Sequence, residues 1–225
     1  MSDGFHPPVE EYLEAIYGIA EEGTPVIQAR LVERLGFSAQ AVSEMVHRLT
    51  ADGYLLRSGR GVSFTEQGQT RAISIVRRHR LAERFLVDIV GLPWHRAHEE
   101  AGRWEHVISN DVEARFIEML GNPTTCPHGS LIPGMGGKLG DELPLDEIKL
   151  GEEVHLARIT EQIETNPEAI SYLGLHDVIP GRHVVIRDRA PDGTMTITVS
   201  HPNSADGDPV ALGPAITAHM FVTAD

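Results

Sequence analysis

From Val9 onward the apolar positions fall at helical spacing. Val9, Tyr12, Leu13, Ile16, Tyr17 and Ile19 predict a helix over 9–20. Glu21-Glu22-Gly23 ends it, with Gly23 as its C-cap. After Thr24-Pro25, the residues Val26, Ile27, Leu31, Val32 and Leu35 predict a short helix that stops at Gly36. Ser38 is an N-cap for a helix from Ala39 to about Asp52, with Val42, Met45, Val46 and Leu49 as its inward stripe. Gly53 stops that helix. Tyr54–Arg57 and Gly61–Phe64 then read as two short strands around Ser58-Gly59-Arg60, a small hairpin.

A long helix is predicted from Thr65 to about Val90, another from Trp94 to Ser109, and a third from Asp111 to Leu120. Residues 121–151 are rich in Gly and Pro and read as a loop-rich linker. The tail changes character. Val154–Ile159, His183–Arg187, Met195–Val199, Pro209–Leu212 and His219–Val222 are strand-like, with a short helix over 166–173 and a tight turn at Pro191-Asp192-Gly193. Short strands with regular turns predict a small β-barrel, so the expected class is mainly α with a small β-barrel.

Charge alters this picture twice. The chain has 225 residues and a formal net charge of −14, which at first argues against a nucleic-acid partner. Yet residues 27–84 hold ten arginines against five carboxylates, a net +5. The protein is a basic module within an acidic molecule. The 41% hydrophobic content excludes wholesale disorder. Cys126 is the single cysteine, so no intramolecular disulfide can form, and a reduced compartment is expected. The first residues lack a basic segment followed by an apolar run, and no stretch approaches the ~18 apolar residues of a membrane helix. A cytoplasmic setting is the expectation.

Two short helices joined by Gly36-Phe37-Ser38, with a hairpin after the second, make a winged helix-turn-helix pattern. The start of the second helix fits the major groove and would present Ser38, Gln40, Ala41, Ser43 and Glu44 to base edges. Gln40 suits adenine, Ala41 a thymine methyl, and Glu44 a cytosine amine. Arg48, Arg57 and Arg60 lie where such a module meets phosphates.

His79 and Glu83 are four apart on the long helix, and so share a face. On the next helix His98, Glu105 and His106 fall at spacings of seven and eight, again one face. Imidazoles and carboxylates from two packed helices form a candidate divalent-metal site. His6, His47, His95, His176, His201 and His219 show no such arrangement and read as surface or turn residues.

Three stretches, 79–84 (HRLAER), 98–106 (HEEAGRWEH) and 126–134 (CPHGSLIPG), resemble the diphtheria toxin repressor family, which includes iron- and manganese-dependent regulators. The likeness runs from about Glu10 to Gly134 and continues more weakly through a tail similar to the family's SH3-like, FeoA-like domain. The resemblance implies a homodimeric repressor of metal-homeostasis genes, activated by Mn²⁺ or Fe²⁺ at about two ions per subunit, on a palindromic operator. It implies a winged-helix domain over 1–72, a helical metal-binding and dimerisation domain over 73–140, a linker over 141–152 and an SH3-like domain over 153–225. One implied ion position takes His79, Glu83 and His98, with Glu164 and Glu168 as further candidates. The other takes Glu11 on the first helix, Gly102 through its carbonyl, Glu105 and His106. Family members carry a cysteine or a glutamate where this chain has Gly102; Glu99, one turn earlier, is a substitute donor. The oxygen-rich, sulfur-free second set suits Mn²⁺ or Fe²⁺ by ligand type, with manganese the preferred expectation. Cys126 in the Cys-Pro-His-Gly turn is expected to pack the loop, with a redox or metal role as the alternative.

No enzyme activity is expected. The rival classes are a metallohydrolase and a metal-free interaction module on a winged-helix scaffold. The hydrolase lacks a His-Glu-x-x-His motif in this sequence.

Overall fold

The computed structural model describes residues 8–200 and 207–224. His6 and His201 lie outside them. Helix α1 spans Pro8–Glu21, α2 Gln28–Leu35 and α3 Ala39–Ala51. Gly36, at φ 69°, makes the left-handed turn between α2 and α3 that a residue with a side chain would resist. The Ser38 side chain accepts from the Ala41 N–H and caps α3, a bond worth about 1 kcal/mol. Val42, Val46 and Leu49 of the predicted stripe are buried against Tyr12, Leu13, Ile16 and Leu31. Strands β1 (Leu55–Ser58) and β2 (Gly61–Phe64) form the hairpin in the register Leu55↔Phe64 to Ser58↔Gly61.

Helix α4 (Glu66–Phe85) is capped by the Thr65 side chain and continues into a π-helical turn over Leu86–Val90. Helix α5 is shorter than the sequence pattern suggests. A 3₁₀ turn over Trp94–Arg96 precedes it, and it runs only from Ala97 to Trp104. Helix α6 spans Asn110–Met119. Phe85 stacks on Phe116 with centroids 4.4 Å apart, and with Leu81, Leu86 and Ala101 it forms a second core.

The C-terminal region corrects the barrel expectation. Strands β3 (Leu143–Pro144), β4 (Glu153–Ile159), β5 (His183–Arg189), β6 (Met195–Ser200), β7 (Pro209–Leu212) and β8 (Met220–Ala224) form one antiparallel sheet ordered β3-β8-β4-β5-β6-β7. The sheet is open: β3 and β7 are its two edges, unpaired with each other. Each edge strand carries a proline, Pro144 and Pro209, whose missing N–H belongs at an edge. Alternation along the strands predicts their existence but not whether the ends meet. Helices α7 (Glu161–Glu164), α8 (Pro167–Leu175) and α9 (Pro214–Thr217) complete this region. Leu145 and Ile148, inside the stretch read as a linker, are buried in its core.

A bulge between Leu156 and Arg158 breaks the β4–β8 register. The turn Cys126–Gly129 docks there, with the Ile159 N–H donating to the His128 carbonyl at 3.0 Å. No helix among the described residues is long and apolar enough to cross a membrane.

Candidate metal centre and nucleic-acid interface

The site is built on α4. His79 and Glu83, one turn apart, are both buried between α1, α5 and the loop after α6. His79 Nε2 lies 3.0 Å from Glu83 Oε1 and 3.0 Å from His98 Nδ1. His98 Nδ1 is 3.2 Å from Glu83 Oε1 and 3.2 Å from Glu164 Oε2 on α7. The loop after α6 adds two groups. His128 Nδ1 is 3.2 Å from Glu83 Oε1 and 3.4 Å from Glu164 Oε2, and the Cys126 thiol is within ligand reach of Glu83 and His128.

A second set lies on the other side of His79. Its Nδ1 is 2.5 Å from Glu105 Oε2 and 3.4 Å from Glu14 Oε1 on α1. His106 Nε2 is 3.1 Å from Glu105 Oε1, and its Nδ1 meets Glu10 on α1. Arg71 also pairs with Glu10. Helix α5 ends before Glu105, so His98 and the pair Glu105–His106 serve different sets rather than one face. The two sets form one continuous polar core joined by a single imidazole.

The electrostatics follow from crowding. Burial raises the Glu14 carboxyl well above its usual range, and the Glu105 charge adds to this. Burial opposes the charge on His79, yet Glu83, Glu14 and Glu105 outweigh it and hold the imidazole well above its ordinary value. His98 goes the same way, to about 10, with Glu164 and Glu83 overcoming desolvation. Glu83 falls well below the usual carboxylate range despite burial, because His128 and His79 flank it. Burial pushes the Cys126 thiol well up, with Glu83 and Glu164 reinforcing it.

The predicted residues divide as follows. His79, Glu83, His98, Glu105 and His106 are brought together, with Glu164. Glu168 is exposed on α8. Glu11 is not the α1 residue at His106; that position is Glu10. Glu11 instead lines a cavity of about 190 Å³ with Phe37, His98 and Glu161. Glu99 turns to solvent and pairs with Arg103 at 2.5 Å, so it supplies no substitute donor. Gly102 sits half-buried in α5. Sequence reasoning missed Glu10, Glu14 and His128 and favoured a packing role for Cys126 over a redox or metal one. The Cys-Pro-His-Gly motif was the available signal for the last two.

The arginine count also changes meaning. Arg34 pairs with Glu22, Arg71 with Glu10, Arg77 and Arg78 with Glu113, and Arg80 with Glu21. Arg84 binds the Thr125 and Cys126 carbonyls. Over half of the basic window is thus internal. Arg48, Arg57 and Arg60 are exposed beside Ser38, Gln40, Ala41 and Glu44, while Ser43 is half-buried. Gln40 donates to Glu44 at 2.9 Å along the exposed face of α3.

A winged helix whose first helix shares a buried imidazole–carboxylate core with the helices behind it defines a DNA-binding regulator governed by a metal ion. Similarity to known proteins gives the class its family. Residues 5–61 match the iron dependent repressor N-terminal DNA binding domain, 65–134 the iron dependent repressor metal binding and dimerisation domain, and 143–224 the FeoA domain. The chain is 40% identical over 202 residues to the iron-dependent repressor IdeR of Mycobacterium tuberculosis, covering 84% of this chain and 87% of that one. It is 36% identical over 199 residues to the diphtheria toxin repressor of Corynebacterium diphtheriae, covering 84% and 87%. A manganese-dependent transcriptional repressor solved with manganese matches at TM-score 0.80 and 32% identity, over 96% of this chain and 99% of that one. The chain belongs to the iron- and manganese-dependent repressor family. It is a metal-dependent, DNA-binding transcriptional repressor of metal-homeostasis genes, and the family consists of regulators rather than enzymes.

Proposed function

We propose that this repressor responds to Mn²⁺, or to Fe²⁺, at two positions per subunit that meet at His79. The residues fit such ions on their own chemistry. Among the described residues, Glu83 Oε2 and both ring nitrogens of His128 are buried without a hydrogen-bond partner; the His128–Glu83 contact is close but outside hydrogen-bond geometry. Buried polar atoms left so are costly unless a ligand takes them up. One position would use Glu83, His98, Cys126, His128 and Glu164 around His79; the other Glu10, Glu14, Glu105 and His106. The second set is all carboxylate and imidazole, which by ligand type suits Mn²⁺ or Fe²⁺.

The observation that carries the reading is the origin of Glu10 and Glu14. Both stand on α1, whose Tyr12, Leu13 and Ile16 share one core with Val42, Val46 and Leu49 of α3, while Glu105 and His106 follow α5. A bound divalent ion supplies the positive charge that lets these carboxylates converge unprotonated. The chain then fixes α1 against α5, and α1 fixes α3. Two subunits would set two α3 helices for half-sites of a palindromic operator about 34 Å apart per helical turn. Ser38, Gln40, Ala41, Ser43 and Glu44 would face bases, and Arg48, Arg57 and Arg60 phosphates. Exposed Val107, Val112 and Met119 support pairing of subunits through the helical region. The organisation proposed is 1–72, 73–140 and a C-terminal domain that takes in β3 from Leu143 onward, in a cytoplasmic protein. Gel-shift binding to its own promoter tests the reading: affinity rises with Mn²⁺ and falls with EDTA. Equal affinity in both refutes it.

A further inference from the structure

Away from the buried core, the C-terminal sheet sets two histidines opposite each other. His155 on β4 and His183 on β5 are register partners. The backbone bonds fall on alternate rows: Leu156 N–H donates to Arg182 O at 2.8 Å in the adjacent row, and Ile186 N–H to Glu152 O at 3.2 Å three rows away. The His155–His183 row is therefore a non-hydrogen-bonded pair, the register in which Cα atoms approach to about 4.5 Å and side chains come closest. Val154, Leu156, Val184 and Ile186 fill the core, so alternation sends both imidazoles to the opposite face. Their ring centroids are 3.6 Å apart, with planes tilted by 51°. Glu153 shares that face two residues earlier. Its Oε1 lies 3.8 Å from His183 Nδ1 and accepts from Ser200 Oγ at 3.4 Å. Ser200 is the residue paired with His183 on its other side.

We propose that this face binds a late first-row divalent ion, Zn²⁺ or Cu²⁺, through His155 and His183, with Glu153 as the oxygen donor. Two adjacent backbone positions hold the imidazoles, so little chain entropy is lost when the side chains turn toward one ion. Two nitrogens and one carboxylate oxygen suit Zn²⁺ and Cu²⁺, and side-chain exposures of 43% for His183 and 50% for Glu153 leave room for water to complete the coordination. Mn²⁺ stands lowest in the affinity order of the divalent first-row metals for such donors, so the face passes over the ion proposed for the interior. The ion would join β4 to β5, the central pair of the sheet.

The test uses full-length protein stripped with EDTA and then freed of it. Zn²⁺ alone is added, and bound metal is measured by equilibrium dialysis and elemental analysis. The wild type is expected to hold one more Zn²⁺ per chain than H155Q/H183Q, and E153Q to bind that ion several-fold more weakly. With Cu²⁺ alone, electron paramagnetic resonance is expected to show, besides any signal from the interior imidazoles, a nitrogen-coupled component that H155Q/H183Q lacks and E83Q/H98Q retains. Mn²⁺-dependent operator binding should be unchanged in H155Q/H183Q, which separates this site from the interior ones and reports an intact fold. Equal Zn²⁺ content in wild type and H155Q/H183Q, or nitrogen coupling that disappears in E83Q/H98Q instead, overturns the proposal.

Discussion

Replacing Gly129 by alanine tests whether the loop carrying Cys126 and His128 is held in place by the C-terminal sheet. Gly129 has φ 92°, and a Cβ there would lie 2.1 Å from the Ala157 carbonyl oxygen and 2.6 Å from the Arg158 Cα. Both obstacles are backbone. Ordinary contact requires the turn to retreat by about 1 Å, which breaks the Ile159 N–H bond to the His128 carbonyl, worth about 1 kcal/mol. The positive φ adds about 1–2 kcal/mol for an L residue. With the lost packing beneath the turn, Gly129→Ala should cost roughly 3–4 kcal/mol. Gly136 is the control. It too has a positive φ, 75°, but nothing lies within 4 Å of its Cβ position. Gly136→Ala should therefore cost only about 1 kcal/mol. Urea unfolding of the metal-free proteins measures both values, and Mn²⁺ uptake by equilibrium dialysis reports the site. A retreat of the turn carries His128 away from Glu83, so Gly129→Ala should bind Mn²⁺ at least tenfold more weakly while Gly136→Ala matches wild type. Indistinguishable variants would refute the claim that the sheet positions this loop.

Three further outcomes are expected. Glu10→Gln should abolish the Mn²⁺ response in gel shifts and Glu11→Gln should leave it; the reverse would restore Glu11 as the ligand. In EDTA, the protein should melt at lower temperature as pH rises from about 6.5 to 10. The raised His98 value means that its contribution is complete below the ordinary imidazole value and lost as pH climbs through about 10. His98→Gln should flatten that decline, and an unaltered profile would dismiss the pairing with Glu164 and Glu83 as its source. Arg60→Ala should weaken operator and non-operator DNA alike and lower the salt slope by about 1; an unchanged slope removes Arg60 from the phosphate contacts.

The helices of the winged module were legible because one face of each is apolar and the other wet. Helix α1 is different: it is buried on nearly every side, so its apolar period does not say which of Glu10 and Glu11 turns inward. A second spacing does. Glu10, Glu14, Tyr17 and Glu21 follow one another at four, three and four, and each meets α4, through Arg71, His79 or Arg80. That polar stripe was present in the sequence, masked by the apolar one. The partners of the internal arginines were not legible. Glu113, for instance, lies 36 residues from Arg77, and counting charge in a window cannot see across the fold. That the sheet stays open was hidden for the same reason, since whether its edges β3 and β7 pair is a long-range fact. His128 and Glu164 meet His98 only because α7 and the docked turn converge on it.

His79 has one ring and two neighbours. Were a metal ion shared with Glu83 and His98 to take the Nε2 lone pair, the ring proton would sit on Nδ1 and be donated to Glu105, orienting that carboxylate for the other set. On the two-position reading proposed above, filling one position would select the tautomer that prepares the second. The two proposed occupancies would then be coupled, and the repressor's answer to rising metal would be a steep threshold rather than a gradual dose response. A cell regulating uptake of a scarce and toxic ion would gain a sharp set point from a single shared imidazole.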